Sequence, residues 1–236
     1  MLCCALVYRQ RIVKGISLAR RMSKKARAAE VLERLSSKYP GTARELCELN
    51  FEDPFQLLSA TILSAQCTDK MVNATTPALF AKYPTPFDLA SADISELEQI
   101  IHSTGFYRNK AKNLVAMAQA LVELGGEVPT EMDELVKLGG VGRKTANVVR
   151  SVAFGLPGLP VDTHVKRITT LLGLTTKNDP VAIEVELNAI VPERSRGAFS
   201  LQVILHGRST CVARRPKCGE CILSDICPSA KKALEP

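Results

Sequence analysis

Residues 138–150 read LGGVGRKTANVVR, and residues 160–164 read PVDTH. In the first stretch Gly140 and Gly142 flank one valine, and glycine tolerates a positive φ and lets another backbone approach closely. Apolar residues at helical spacing begin directly after these glycines. Because the first N–H groups of a helix have no partner within it, a glycine turn that leads into a helix can bind an anion such as phosphate. The stretch therefore predicts a phosphate-binding turn followed by a helix.

Two charged residues accompany this turn. Lys144 lies in the first turn of the predicted helix, and Asp162 follows 18 residues later, at the head of the next predicted helix. A lysine and an aspartate that meet at a phosphate-binding turn indicate chemistry on a nucleic-acid backbone. Taken alone, Lys144 has the plainer interpretation of a surface helix lysine, and Asp162 that of a helix N-cap, which is compatible with a chemical role.

Four cysteines near the C-terminus form the second informative pattern. Cys211, Cys218, Cys221 and Cys227 are spaced C-x6-C-x2-C-x5-C. Thiolates this close in sequence suit a tetrahedral metal site or an iron–sulfur cluster. A pair of disulfides is the alternative, but residues 1–22 lack the basic-then-apolar order of a secretory signal, and without one such a cluster more often binds metal. The spacing by itself leaves zinc and iron–sulfur open.

Composition and periodicity predict an all-α protein. The chain is 46% hydrophobic and only 5% aromatic, its length allows one large or two small domains, and no apolar run reaches the length of a membrane span. No alternation is strong enough to predict a sheet, and the segment 54–63 is apolar nearly all round, which is typical of a buried central helix. Helices are predicted at 23–38, 54–63, 70–82, 86–91, 93–101, 108–124, 131–138, 142–154, 163–172, 180–190 and 194–206.

The net charge of +7 is concentrated at the N-terminus. Residues 1–29 hold eight basic residues and no acidic one, which leaves 23 basic against 24 acidic residues in the rest of the chain. An argument for nucleic-acid binding must therefore rest on local patches. Three interpretations of residues 1–22 stay open: a segment upstream of a translation start at Met22, a disordered basic arm on DNA, or an organellar presequence.

These motifs resemble the endonuclease III family of DNA glycosylases. Residues 138–149 are similar to the helix-hairpin-helix motif of that family, residues 161–164 to the segment that carries its catalytic aspartate, and the cysteine spacing to its [4Fe-4S] signature. The resemblance covers residues 26–227. One departure is Gly139, where the family usually has proline, and we expect this glycine to loosen the hairpin while leaving the phosphate-facing glycines in place.

The resemblance implies an architecture of two helical domains that flank a DNA-binding cleft. A six-helix domain would span residues 46–156, with the helix-hairpin-helix at about 131–150. Residues 23–45 and 157–236 would together form a discontinuous iron–sulfur cluster domain, and residues 1–22 would be a disordered basic extension.

The resemblance also implies a function, that of a base-excision DNA glycosylase with AP lyase activity that removes oxidised pyrimidines. Such an enzyme rotates the damaged nucleotide out of the duplex. Lys144 would then attack C1′ and form a Schiff base, and β-elimination would cut the strand 3′ to the abasic site. Asp162 would help to deprotonate the lysine and would stabilise positive charge on the sugar. We expect the helix N-terminus, Arg143 and partial burial to favour the neutral amine of Lys144.

Further residues are assigned to DNA through the same resemblance. Gln66 matches an inserted glutamine of the family and Phe106 stands at its apolar wedge, so that both would fill the gap left by the flipped nucleotide; the plainer interpretations are a loop glutamine and a core phenylalanine. Lys110 and Lys112 are interpreted as solvated helix residues. The remaining contacts, chiefly to phosphate, are expected from Gly140, Gly142, Arg143, Thr145 and His164, and from the basic loop residues Arg214, Arg215 and Lys217.

The expected partner is double-stranded DNA with a damaged base or an abasic site. The protein is expected to act as a monomer and not to associate with a membrane. The expected location is the cytoplasm at the nucleoid, or an organelle or nucleus in a eukaryote.

Three alternative functions compete with this interpretation. An adenine-mismatch glycosylase shares the cluster but lacks the lysine and has a further C-terminal domain, whereas here Lys144 is present and nine residues follow Cys227. The others are a non-catalytic DNA-binding module and a zinc protein of the same shape, which would be colourless instead of brown.

Overall fold

The computed structural model describes residues 22–230, and the interpretations of residues 1–21 lie outside that range. All regular structure in the described residues is helical, which confirms the predicted all-α class. The α-helices are α1 (Lys24–Lys38), α2 (Ala43–Leu46), α3 (Pro54–Leu63), α4 (Asp69–Lys82), α5 (Pro86–Ala90), α6 (Ile94–Ile101), α7 (Tyr107–Glu123), α8 (Met132–Leu135), α9 (Arg143–Val152), α10 (Thr163–Leu171), α11 (Pro180–Asn188) and α12 (Arg196–Ser209). Short 3₁₀ helices occupy His102–Thr104, Glu193–Ser195 and Cys218–Glu220.

Several helices begin at a side-chain cap that the sequence encodes. A side-chain oxygen of Asp53 accepts a hydrogen bond from the backbone N–H of Gln56 at 2.8 Å, and Pro54 fills the first helical position of α3. Thr85 and Asp88 form a capping box at the start of α5. Each such cap satisfies an N–H group that the helix leaves free and stabilises the fold by about 1 kcal/mol. Local chemistry thus sets these helix starts.

The chain folds into two compact units. Of the described residues, 47–158 form one unit, called here the hairpin unit, and 22–46 with 159–230 form the other, the cysteine unit. None of the helices within residues 22–230 has the length and apolar character that crossing a bilayer requires.

In the hairpin unit α3 is the central element. Phe55 and all residues from 57 to 63 are buried, and α3 packs against α4, α7 and α9. The prediction of a buried central helix is therefore confirmed. Its C-terminal end leads into the loop that carries Gln66, and α9 carries Lys144.

In the cysteine unit α12 is the central element, and it packs against α1, α2 and α10. Phe199 of α12 is fully buried together with Leu35 and Val165. Three of the four clustered cysteines, Cys211, Cys221 and Cys227, pack against this core. The cysteine segment is therefore part of the packed interior of its unit and not a loosely attached tail.

Candidate functional site

The turn between α8 and α9 requires glycine at position 140. Gly140 has a φ of +74°, and a Cβ atom there would lie 2.9 Å from the Cβ of Asn113, so both conformation and space exclude a side chain. Leu138 and Val141 are buried on either side and anchor the turn. Gly142 is the N-cap of α9 and provides no side-chain cap. The first N–H groups of α9 are therefore not capped by Gly142, as a phosphate site requires.

Gly139 allows the hairpin to pack closely on α7. A Cβ atom at this position would lie 2.8 Å from the carbonyl oxygen of Asn113 and 2.9 Å from the backbone nitrogen of Met117. A proline here would force the backbone of α7 to shift. The close approach thus depends on the missing side chain of Gly139, and the expected loosening of the hairpin stays a prediction.

Lys144 is the second residue of α9 and is exposed, as is Arg143, while Thr145 is half-buried. The predicted partial burial of Lys144 by the surrounding protein is therefore wrong. The opposite face of α9, which includes Ala146 and Val149, is fully buried, so the helix is a rigid support for an exposed amine.

Asp162 belongs to the cysteine unit and caps α10. One of its carboxylate oxygens accepts a hydrogen bond from the backbone N–H of Val165 at 2.8 Å. His164 follows in the first turn of α10 and is half-buried, and its Nδ1 is buried without a hydrogen-bond partner. A Cβ atom at Gly207 would meet that Nδ1 at 2.6 Å, so the His164 ring packs against α12.

Gln66 and Phe106 share an unusual backbone conformation. Within the described residues they are the two non-glycine residues with a positive φ, 53° and 50°. Holding a bulky residue there costs about 1–3 kcal/mol, and such strain concentrates at functional positions. Both side chains are exposed, Phe106 by 66% of its surface, so the interpretation of Phe106 as a core residue is wrong.

Lys110 is the residue that sequence reasoning misplaced. Only 4% of its surface is exposed, whereas Lys112 is exposed as expected. Its Nζ donates hydrogen bonds to the carbonyl oxygens of Leu63 and Thr104, each at 2.8 Å, and burial lowers its pKa. A signal was present, because Lys110 occupies the helical face on which the buried Leu114 lies.

All six described cysteines are free thiols, so the disulfide alternative is not realised. The four clustered cysteines are half-buried and line one partly open cavity. Within the described residues no three His, Cys, Asp or Glu side chains are grouped closely enough to hold one metal ion. A single zinc ion needs four ligand atoms that converge within about 2.3 Å of it. Four thiols that line one cavity suit an iron–sulfur cluster.

Burial favours the protonated form of three of the four clustered thiols. Burial raises the pKa of Cys221 to about 11 and also raises the pKa values of Cys218 and Cys227. Without a metal these thiols are therefore protonated, and the binding of iron must displace their protons.

Among the described residues, three nitrogen groups that can donate a hydrogen bond lie close to these sulfur atoms. Arg167 donates from Nη1 to Cys211 Sγ at 3.6 Å, and the backbone N–H of Leu223 donates to Cys221 Sγ at 3.4 Å. His206 is buried, and its Nε2 lies 3.4 Å from the same Cys221 sulfur. Burial, followed by the charges of Lys38 and Arg167, lowers the pKa of His206 to about 4. A neutral His206 can donate to a ligand sulfur, as the outer shell of an iron–sulfur cluster does.

The loop between the first two clustered cysteines carries the predicted basic residues. Arg214, Arg215 and Lys217 are all exposed. The backbone N–H of Lys217 donates to the carbonyl oxygen of Thr210 at 2.9 Å, which closes the loop at its base. The loop therefore presents three cations to solvent from a fixed base.

Two family models match the chain. Residues 59–193 match the model described as HhH-GPD superfamily base excision DNA repair protein. Residues 211–227, which run from the first to the last clustered cysteine, match the iron-sulfur binding domain of endonuclease III.

Curated relatives match over most of their length. Endonuclease III of Synechocystis sp. is 54% identical, and the alignment covers 91% of this chain and 98% of that protein. Endonuclease III of Bacillus subtilis is 45% identical over 85% of this chain and 91% of that protein.

Two solved structures share the fold. A non-covalent Endonuclease III–DNA complex superimposes with a TM-score of 0.83 at 43% identity, covering 89% of this chain and 98% of that chain. A trapped Endonuclease III–DNA covalent intermediate superimposes with a TM-score of 0.84 at 42% identity, covering 91% of this chain and all of that chain.

Proposed function

Because this chain belongs to the endonuclease III family, within the HhH-GPD superfamily of base excision DNA repair proteins, we propose that it excises oxidised pyrimidines from DNA through Lys144 and Asp162. It is a DNA glycosylase with AP lyase activity that acts on damaged bases. The observation that carries the residue assignment is the position of Lys144, exposed at the second residue of a helix whose N-cap is a glycine.

The proposed reaction begins with the neutral amine of Lys144. Its Nζ forms a bond to C1′ of the sugar while the bond from C1′ to the base breaks, and the base leaves with a proton. The bond from C1′ to the ring oxygen O4′ then breaks as a proton passes to O4′, which opens the sugar ring and gives a Schiff base that acidifies the proton at C2′. Removal of that proton breaks the bond from C3′ to its oxygen and cuts the strand on the 3′ side.

Asp162 is proposed as the proton acceptor for Lys144 and as the charge that stabilises the developing cation on the sugar. Its hydrogen bond to the N–H of Val165 fixes the carboxylate, so that capping and chemistry share one side chain. Since Lys144 is exposed, its amine is accessible to the sugar of a bound nucleotide.

Gln66 and Phe106 are proposed to fill the gap that the flipped nucleotide leaves in the base stack. Their exposure and their fixed, strained backbone support this role, because an inserting side chain must project from a rigid support.

Phosphate contacts are proposed for the amides of Gly140 and Gly142 with help from Arg143 and Thr145. His164 is proposed to reach DNA only through Nε2, since its Nδ1 is buried against α12.

The cofactor is a [4Fe-4S] cluster. Cys211, Cys218, Cys221 and Cys227 would hold it, and it would cross-link the segment whose loop carries Arg214, Arg215 and Lys217. We assign the cluster an architectural role, in which a loop tied at both ends grips backbone phosphate with little loss of conformational entropy. On this basis the cysteine unit is the proposed cluster domain and the hairpin unit the proposed six-helix domain, although the hairpin unit holds seven α-helices when the four-residue α8 is counted. We also propose that the protein acts as a monomer at the DNA, which light scattering of the purified protein would test.

The test is covalent trapping with borohydride on a duplex that contains one abasic site. Wild type and a Lys137→Ala variant, which removes an exposed lysine of the same hairpin, should form a covalent complex that survives a denaturing gel. Lys144→Ala should form none while still binding the duplex. Trapping by Lys144→Ala would show that another amine performs the chemistry, and the absence of trapping by wild type would contradict the lyase assignment.

A further inference from the structure

Lys110 joins the two loops that carry Gln66 and Phe106. Leu63 is the last residue of α3, three positions before Gln66, and Thr104 ends a 3₁₀ helix, two positions before Phe106. The ammonium of Lys110 accepts no hydrogen bonds and donates one to the main-chain carbonyl of each residue, at 2.8 Å in both cases. One buried side chain therefore touches the backbone on which each exposed side chain is mounted.

The energetics of this contact favour a fixed distance between the two loops. The last carbonyl groups of a helix have no partner within it and carry a partial negative charge. A buried lysine is destabilising unless such groups compensate its charge. Moving either loop away would remove one of the two hydrogen bonds that compensate the buried charge, and would leave the carbonyl of that loop without this donor. The arrangement thus resists separation of the two loops more strongly than an apolar contact of the same area.

We propose that Lys110 is a positioning residue that holds the Gln66 and Phe106 loops at a fixed separation, so that both side chains enter the duplex together when a nucleotide is flipped. This inference rests on the proposed stack-filling role of Gln66 and Phe106. The strained φ of both residues shows that each loop is held in place by its surroundings, and Lys110 is the contact they share. A misplacement of about 1 Å in such a support lowers the rate of an enzyme by up to roughly 100-fold.

The test compares Lys110→Met with Lys112→Met, since Lys112 is an exposed lysine two positions away on the same helix. Methionine fills the space of the lysine side chain but donates no hydrogen bond. Lys110→Met should lower the rate of excision of an oxidised pyrimidine from duplex DNA on the order of tenfold, and Lys112→Met should leave it unchanged. Fluorescence of 2-aminopurine placed beside the lesion should report weaker insertion into the stack for Lys110→Met alone.

A double-mutant cycle separates positioning from a general loss of stability. Both lysine variants are repeated in a background that carries Gln66→Ala and Phe106→Ala, two exposed truncations. If Lys110 acts through those side chains, its effect on excision should shrink to less than about twofold there. An equal loss in both backgrounds, or no loss in either, would overturn the inference.

Two controls make the result of the double-mutant cycle interpretable. If Lys110→Met does not fold, Lys110→Gln carries the same cycle, because its amide can still donate to one carbonyl. Borohydride trapping on an abasic single strand, which has no stack to fill, should be nearly equal for Lys110→Met and wild type. If wild type fails to form the covalent complex on both the single strand and the duplex, the proposed function is contradicted. If wild type forms the complex but the double-mutant cycle shows no coupling between Lys110 and the two loop side chains, only the proposed role of Lys110 is contradicted.

Discussion

At the scale of the single residue, the proposed DNA-inserting positions are held in an unfavourable conformation. Gln66 and Phe106 have φ values of 53° and 50°, which glycine or asparagine would adopt with less strain. Phe106 is also largely exposed, so its ring adds little to the buried core. A large apolar side chain that is both strained and exposed contributes little to folding, which is why a role in binding explains it better.

This conflict predicts opposite effects of one substitution on stability and on activity. Phe106→Asn should leave the free energy of unfolding unchanged or raise it by up to about 1 kcal/mol, since asparagine tolerates the left-handed region. Excision should fall on the order of tenfold, because stacking of an aromatic ring on a base contributes about 1–3 kcal/mol. Phe106→Leu, which keeps an apolar wedge, is the control and should retain most activity. Thermal denaturation and single-turnover excision measure the two effects, and a destabilised Phe106→Asn would contradict the argument.

At the scale of the element, the two proposed catalytic residues stand at helix starts that are built differently. Gly142 offers α9 no side-chain cap, while Asp162 caps α10 through the N–H of Val165. The first arrangement leaves N–H groups available to a phosphate, and the second uses one carboxylate oxygen for the fold. Substitutions at Asp162 can therefore separate its structural from its chemical contribution.

Asp162→Asn should keep the cap and lose the charge. Asparagine is as good an N-cap as aspartate, so the melting temperature should change little, whereas Asp162→Ala should lower the free energy of unfolding by about 1 kcal/mol. Both variants should lose most excision activity, because neither provides a carboxylate to accept the lysine proton. Thermal denaturation beside excision assays checks this. If Asp162→Asn retained full activity, the carboxylate would have only its capping role.

The position of each helix could be predicted from the sequence more reliably than the contacts between helices. Caps such as Asp53 and the apolar spacing of each helix are local signals, so most helix positions were predicted to within a few residues. The burial of Lys110 was missed because one carbonyl that receives it, that of Leu63, lies 47 residues earlier in the chain. The exposure of Lys144 and the close packing of Gly139 on α7 likewise depend on elements distant in sequence. Helix caps and helix positions could be predicted from neighbouring residues, whereas contacts between elements distant in sequence could not.

At the scale of the whole molecule, the first described helix and the last cysteines are tied together. Arg34 of α1 donates two hydrogen bonds to the carboxylate of Asp225, at 2.5 and 3.1 Å, and a third to the carbonyl oxygen of Ile222 at 2.8 Å. These partners lie about 190 residues further along the chain, between Cys221 and Cys227. The hydrogen bonds and the charge of Asp225 raise the pKa of Arg34 despite its partial burial. A two-point contact of this kind fixes orientation as well as distance.

Loss of this contact should loosen the cluster segment more than it destabilises the fold. The carboxylate of Asp225 is partly exposed, so Arg34→Met should lower the free energy of unfolding by no more than about 1 kcal/mol. The brown absorption of the purified protein should nevertheless fade several-fold faster in the presence of an iron chelator, because the backbone between Cys221 and Cys227 is no longer held from the α1 side. Lys25→Met removes an exposed cation from the same helix and should fade at the wild-type rate. Asp225→Asn should act like Arg34→Met, and the double variant should be no worse than either single one. Equal fading rates for Arg34→Met and Lys25→Met would show that the cysteine segment holds its metal without help from α1, and that the contact between Arg34 and Asp225 serves stability alone.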